Sequence, residues 1–230
     1  MSAAVYREAE KFINDGRLVF DNGLYCCKTD FFSIDLILTG VGGAGATYYL
    51  TRQTMKKEYD FVLGFGVCGV YSNDKLLVGQ MVCPNKAFFA DLGFENRKNA
   101  AFLPLDANGI SIKVSERFST AFNIATGAVN TRNFPSTKPN NLDVVLKNFT
   151  AKYETMESAY CANVCRLQKK SYLELRCVSN TIEQNCAGFW NLSVSFYNLG
   201  LFLYDIFFGK NSETFYNFVK LEIEPFGKKI

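Results

Sequence analysis

Residues 33–38 (SIDLIL), 60–65 (DFVLGF), 122–128 (FNIATGA) and 172–178 (YLELRCV) are short, largely apolar runs closed off by Gly, Pro or charged residues. Such runs predict strands covered on both faces, the pattern of a mainly parallel sheet under two helical layers. Helical periodicity fills the gaps, from a Gly-rich turn to about Lys57 and from Glu157 to Lys169. Residues 76–83 read as a strand stopped by Pro84, which cannot donate to a ladder. Residues 139–149 read as a short helix led by Pro139 and Asn140. Asp21-Asn22-Gly23, between the apolar runs 17–20 and 24–28, predicts a hairpin.

From Cys186 to Gly209 the only charge is Asp205. Leu192, Phe196, Leu199, Leu203 and Ile206 recur at helical spacing, interleaved with Asn191, Ser193, Ser195 and Asn198. This predicts a core-facing amphipathic helix, not a membrane span, followed by a mixed tail. Strand-helix alternation without a linker or repeat predicts one α/β domain over 1–230: three layers, α/β/α, around a central mixed, mainly parallel sheet. Ligands of such sheets bind beyond the carboxyl ends of the strands.

Composition narrows the chemistry. With 48% hydrophobic and 15% aromatic residues, the 230-residue chain can bury a large core. A net charge of +3 from 25 basic and 22 acidic residues, dispersed along the chain, leaves no nucleic-acid footprint. There is no histidine, which excludes Ser-His-Asp and Cys-His catalysis and every His-ligated metal site. The eight cysteines form no Cys-x-x-Cys pair. Cys161 and Cys165 share a helix face, but two ligands do not make a zinc site, so no metal is expected. No signal peptide is evident, so the expected location is cytoplasmic, with reduced thiols.

Gly40-Val41-Gly42-Gly43-Ala44-Gly45 fits G-x-G-x-x-G, and Asp60 lies 20 residues after Gly40. A dinucleotide site needs its acid at the carboxyl end of the next strand, whereas Asp60 is at the amino end. The turn lacks Gly-Lys-Ser/Thr and is no P-loop. It leaves a nest of backbone amides suited to an oxygen-rich ligand.

Five polar residues stand out. Glu157 opens a helix, Asn180 follows a buried strand, Arg176 lies inside that strand, Asp91 sits in Phe88-Phe89-Ala90-Asp91-Leu92-Gly93, and Glu8 in Tyr6-Arg7-Glu8-Ala9-Glu10. Each has an ordinary structural explanation: a first-turn carboxylate, turn residues, a buried ion pair, a solvated helix charge. Their joint order carries more than any one of them.

That order resembles the purine nucleoside phosphorylase and nucleosidase superfamily, and within it the futalosine hydrolases. The resemblance spans nearly the whole chain. It is carried by Thr39-Gly40-Val41-Gly42, Gly64-Phe65-Gly66-Val67-Cys68-Gly69, Val78-Gly79-Gln80-Met81-Val82, Phe89-Ala90-Asp91-Leu92-Gly93, Ala128-Val129-Asn130-Thr131, Glu154-Thr155-Met156-Glu157 and Arg176-Cys177-Val178-Ser179-Asn180. It implies that Glu157 holds the ribose hydroxyls with Met156 packed on the sugar. Asn180 reads the purine N7 and six-position, and Glu8 orients the attacking water. Cys68 and Gly69 line base and ribose, Val129 and Asn130 lie beside the purine, and Asp91 belongs to the site. It implies hydrolysis of futalosine to hypoxanthine in menaquinone synthesis, no cofactor, and a homodimer or larger homo-oligomer. The substrate's benzoate-bearing tail would meet Arg132 or Lys138.

Hydrogen-bond chemistry bears on Asn180. A carboxylic acid suits adenine, donating to N7 and accepting from the 6-amino group; a carboxamide NH2 suits the two acceptors of hypoxanthine, N7 and O6. A mispaired buried edge costs roughly 1–3 kcal/mol, about 10- to 100-fold in discrimination. This favours a 6-oxopurine over methylthioadenosine or S-adenosylhomocysteine, the substrates of the runner-up nucleosidase. A phosphorylase ranks lower, because no anion-binding Arg or Ser is evident at 64–70. A non-catalytic nucleoside-binding protein is the alternative from another class. Two departures from the family pattern bear on these readings. Only Met1 to Ala4 precede the Glu8 region, where relatives carry a buried strand, so either the start lies upstream or the sheet lacks that strand. Ser158 stands where Gly is usual and could crowd the sugar.

Overall fold

The apolar runs all feed one ten-stranded mixed sheet. The computed structural model describes residues 1–4, 6–15, 17–21, 23–71, 77–96, 101–104, 108–114, 116–134, 147–182 and 190–227. In chain order the elements are β1 (Ser2–Ala3), α1 (Tyr6–Asn14), β2 (Val19–Asp21), β3 (Leu24–Lys28), β4 (Ser33–Leu38), α2 (Gly43–Lys56), β5 (Phe61–Tyr71) and β6 (Met81–Phe89). There follow β7 (Gly93–Asn96), β8 (Ala101–Pro104), β9 (Ile110–Ser111), α3 (Glu116–Ala121), β10 (Ala125–Thr131), β11 (Tyr153–Thr155), α4 (Ser158–Leu167), β12 (Ser171–Ile182), α5 (Leu192–Phe208) and α6 (Ser212–Glu222).

The sheet order is β11-β10-β6-β12-β5-β1-β4-β3-β2, with β9 beside β6. β4, β1, β5 and β12 run parallel, whereas β6, β10 and β11 run the other way. β11 also pairs antiparallel with β5, which closes β5, β12, β6, β10 and β11 into a ring. Ser2 and Ala3 fill the slot between β4 and β5, where Ser2 pairs with Ile37 and Gly64.

Helices cover both faces, as the alternation predicts. Phe12, Leu199, Leu203, Phe207 and Phe215 of α1, α5 and α6 pack on one face over Leu63, Phe65, Leu173 and Leu175. Ala46, Leu50, Ala159, Ala162 and Cys165 of α2 and α4 pack on the other over Val62, Val178 and Tyr172. No single helix among the described residues is long and apolar enough to cross a membrane.

The sequence reading departs from the structure in several places. β6 runs through Pro84 instead of stopping there. Its register against β10 shifts between Gly127 and Ala128, so that Asn85 is an extra residue, and a proline is tolerated beside such a bulge. Residues 122–124 form the turn that closes α3: Ile124 N donates to Ser119 O at 2.9 Å and Asn123 takes φ 50. Phe122 and Ile124 are apolar because they pack into the core, not because they lie in a strand. β5 does not turn at its glycines but continues to Tyr71. A second helix, α6, replaces the mixed tail. The helix expected at 139–149 falls mostly outside the described residues.

Candidate active site

The glycines of β5 are spaces for other side chains. A Cβ on Gly64 would lie 2.5 Å from the Tyr172 hydroxyl, and one on Gly66 would lie 2.4 Å from Glu8 Oε1 and 2.6 Å from Arg176 Nη1. A Cβ on Gly69 would meet Ile182 Cδ1 at 2.7 Å and Asn180 Nδ2 at 3.3 Å. Glycine inside a strand marks such close approach. The space opens into a cavity at the carboxyl ends of β5 and β12. It is lined by Glu8, Val41, Cys68, Gly69, Glu154, Met156, Glu157, Ser179 and Asn180, with Ile182, Trp190, Leu192 and Phe196 as an apolar wall.

Glu8, Cys68, Gly69, Met156, Glu157 and Asn180 are thus brought together, from positions as far apart as α1 and the end of β12. Val129, Asn130 and Asp91 are not in the lining. Val129 is a core residue of β10. Asn130 is buried one strand away and donates through Nδ2 to the Tyr71 hydroxyl at 3.0 Å. Asp91 accepts from Asn133 N at 2.7 Å and so ties down the turn beside α2. Arg132 is buried with its Nη1 3.9 Å from Glu154 Oε2, and Lys138 lies outside the described residues.

Glu157 stands at the N-cap position of α4 without a side-chain cap bond, and its Oε1 instead accepts from Gly42 N at 2.9 Å. Gly43 N donates to Asn133 Oδ1 at 2.8 Å. These amides of the Gly-rich turn are therefore used by the protein itself, to hold Glu157 and Asn133, instead of forming a nest for a ligand. Glu157 Oε2 lies 3.5 Å from Arg176 Nη1. The same guanidinium bonds Oε1 of Glu174 through Nε and Nη2, each at 2.7 Å. Burial pulls the Arg176 pKa down, but Glu174, Glu157 and Glu8 outweigh it and push it above its ordinary value. The cation stays charged among these carboxylates, as a buried charge must when it is paired.

Glu8 is only 5% exposed, unlike the solvated helix charge it could have been. Its Oε2 accepts from Ala4 N at 2.8 Å and its Oε1 from Val67 N at 3.0 Å. Ser158 is not part of the cavity lining: its hydroxyl donates to Glu174 Oε1 at 2.6 Å and lies 2.5 Å from Thr155 Oγ1.

Asn180 is placed by a bulge. Val178 pairs with Cys68 and Asn180 with Gly69, so Ser179 is an extra residue in β12. A bulge re-aims the side chain that follows it. Ser179 Oγ lies 2.8 Å from Asn180 Oδ1 and 3.1 Å from Cys68 O. With Oδ1 on the Ser179 side, Asn180 Nδ2 lies on the side of Gly69, 3.3 Å from where a Cβ there would be. Cys68 lines the same space as a neutral thiol, its pKa driven up by burial.

Sequence reasoning missed Glu174, Tyr71, Glu154, Ser179, Trp190 and Phe196. Glu174 had a signal: two charges alternating with leucines in Leu173-Glu174-Leu175-Arg176 point to the same face of a strand. Leu192 and Phe196, which look like the start of a core stripe, instead face the cavity.

Residues 11–199 match the model of the family described as the phosphorylase superfamily. No curated protein sequence matches. Similar solved structures include 5'-methylthioadenosine/S-adenosylhomocysteine nucleosidase from Campylobacter jejuni, at 18% identity and TM-score 0.73, covering 92% of this chain and 97% of that one. The 5'-methylthioadenosine nucleosidase of Arabidopsis thaliana superposes with TM-score 0.72 at 16% identity, over 96% and 95% of the two chains. A futalosine hydrolase mutant of Helicobacter pylori superposes with TM-score 0.66 at 16% identity, over 95% of each chain.

Proposed function

The chain belongs to the phosphorylase superfamily, and within it we propose that it hydrolyses the N-glycosidic bond of futalosine, a 6-oxopurine nucleoside, releasing hypoxanthine for menaquinone biosynthesis. The observation that carries this reading is Asn180 with its oxygen held by Ser179. The NH2 then faces two acceptors, as N7 and O6 of hypoxanthine supply, whereas adenine would oppose it with a donor. The solved structures of similar fold are mostly named for nucleosidases of adenine nucleosides, so the assay must offer both classes.

The mechanism follows from the site. Glu157, fixed by Gly42 N and Arg176, accepts from the 2′- and 3′-hydroxyls and orients the sugar. Asn180 stabilises charge that builds on the base as the bond to the anomeric carbon breaks through an oxocarbenium-like state. Glu8, anchored by two backbone N–H groups, polarises water at that carbon; general-base assistance of this kind contributes about 10²–10⁴-fold. Met156 packs on the sugar, and the wall of Trp190, Leu192 and Phe196 suits an aryl tail.

Incubation with futalosine, inosine and methylthioadenosine, followed for free base and free sugar, tests the reading. Hypoxanthine with unphosphorylated sugar supports it. Release of adenine alone supports the methylthioadenosine class, phosphate-dependent cleavage a phosphorylase, and binding without cleavage a nucleoside-binding protein.

A further inference from the structure

The amides at the start of α2 are capped from elsewhere in the chain. A helix leaves its first N–H groups without intrahelical partners, and Gly42, at the N-cap of α2, has no side chain to serve them. Gly42 N donates to Glu157 Oε1 at 2.9 Å, and Gly43 N donates to Asn133 Oδ1 at 2.8 Å. One acceptor comes from the start of α4 and the other from the segment after β10.

The two bonds depend on each other. The peptide units that carry Gly42 N and Gly43 N meet at the Gly42 Cα, and the φ and ψ of that residue alone set the angle between them. Gly42 takes φ 86 and ψ 174, a conformation open essentially to glycine. With no Cβ, sterics do not hold these dihedrals. The partners at the two ends of the turn hold them instead.

Asn133 is itself fixed from three directions. Asp91 Oδ2 accepts from Asn133 N at 2.7 Å and from its Nδ2 at 3.4 Å. The same Nδ2 donates to the Tyr160 hydroxyl at 2.7 Å. With the amide nitrogen turned to Asp91 and Tyr160, Oδ1 is left for Gly43 N. Tyr160 lies in the first turn of α4, three residues after Glu157. Its ring stands edge-on to Phe89 and against Gly43, where a Cβ would run into it. Asn133 thus joins the chain after β6, the glycine turn and the helix that Glu157 begins.

We propose that Asn133 and Asp91 are positioning residues for ribose binding: they hold the Gly42–Gly43 turn so that the Gly42 N–H meets the Glu157 carboxylate. The proposal rests on the sugar-binding role given to Glu157 in the proposed function, and not on which base is bound. Asp91 then serves the site through Asn133 and the turn, without reaching the cavity.

Calorimetric binding of two inert pairs tests this without turnover: 9-deazainosine against 9-deazahypoxanthine, and 9-deazaadenosine against 9-deazaadenine. The carbon–carbon link to the sugar cannot be hydrolysed. Members of a pair differ only by the ribose, so their affinity ratio reads the sugar contacts. The wild type should bind the nucleoside of a pair tighter than its base. Asn133→Ala should cut that ratio by roughly 3- to 10-fold, the loss of about one hydrogen bond, and leave affinity for the base alone unchanged. Asp91→Ala should cut it by a smaller factor. Asp91→Asn should restore it, because the amide oxygen still accepts from Asn133 N. Thermal melting confirms that each variant is folded. An unchanged ratio in Asn133→Ala, or equal weakening of nucleoside and base, would overturn the inference and leave the proposed reaction standing. Binding confined to the adenine pair, with the ratio falling as expected, would sink the 6-oxopurine reading and support the role of Asn133. A wild type that binds neither nucleoside better than its base would overturn both the sugar-binding role of Glu157 and the inference.

Discussion

Arg176 grips Glu174, two residues back on the same strand, through both Nε and Nη2 at 2.7 Å to one carboxylate oxygen. That pairing leaves Nη1 to reach Glu157 at 3.5 Å. The bond between two strand neighbours therefore sets the position of a carboxylate more distant in the chain. Removing the cation while its buried partners remain should be costly. Arg176→Met is expected to lower unfolding free energy by about 3–5 kcal/mol, measured by urea denaturation. A loss under about 1 kcal/mol would show that the pair is not closed in solution.

Glu8→Gln should lower kcat by about 10²–10⁴-fold with little change in affinity for the free base. Two backbone amides, of Ala4 and Val67, each use one Glu8 oxygen. Glutamine offers a single acceptor, so one N–H is left unpaired at about 1–3 kcal/mol, visible as a lower Tm. Wild-type turnover in this variant would remove Glu8 from the reaction.

Asn180→Asp should move the preference from 6-oxopurine toward 6-aminopurine nucleosides, by about 10- to 100-fold in the ratio of kcat/KM. Ser179→Ala should reduce the discrimination in the same direction by freeing the amide to turn, with kcat on methylthioadenosine rising relative to inosine. An unchanged ratio in both variants would show that the base edge is read elsewhere.

Gly69→Ala puts a Cβ 2.7 Å from Ile182 Cδ1 and 3.3 Å from Asn180 Nδ2. The isoleucine can give way, so the fold should lose about 1–3 kcal/mol, in the range for overpacking. The methyl also enters the slot where the base is proposed to lie, so KM should rise far more than the stability loss alone would suggest. A variant with normal KM would place the base away from β5.

Burial drives the thiols of Cys161 and Cys177 up to about 12 and that of Cys68 higher still. The thiolate is the reactive form, so these three should resist alkylation at pH 8 in the folded protein and react after urea. Peptide mapping of the alkylated protein checks this. Rapid modification of Cys68 would contradict its place as a neutral wall of the cavity.

Much of the fold was legible because it is local. Continuous apolar runs gave β4 and parts of β5 and β12, Asn-Gly gave the hairpin, and helical periodicity gave α2, α4 and α5. Failures came where one residue serves two levels of structure. Pro84 punctuates a sequence but sits beside a bulge in β6, and Phe122 and Ile124 are apolar because they close a helix onto the core. The glycines of β5 read as a turn, although they are clearances for Glu8, Arg176, Tyr172 and Asn180.

For the site, composition and local pattern supply the inventory: no histidine, a carboxylate at a helix start, an amide after a buried strand, and an arginine that needs a partner. Which of these share a cavity, and what holds each of them, follows from the packed fold. Glu8 was an ordinary helix charge until Ala4 and Val67 claimed its oxygens, and Glu154 had no reading until β11 paired with β5. The reason is physical. Periodicity reports which face of an element is buried, but strand register, a one-residue bulge and hydrogen bonds across more than a hundred residues depend on partners that no local pattern names.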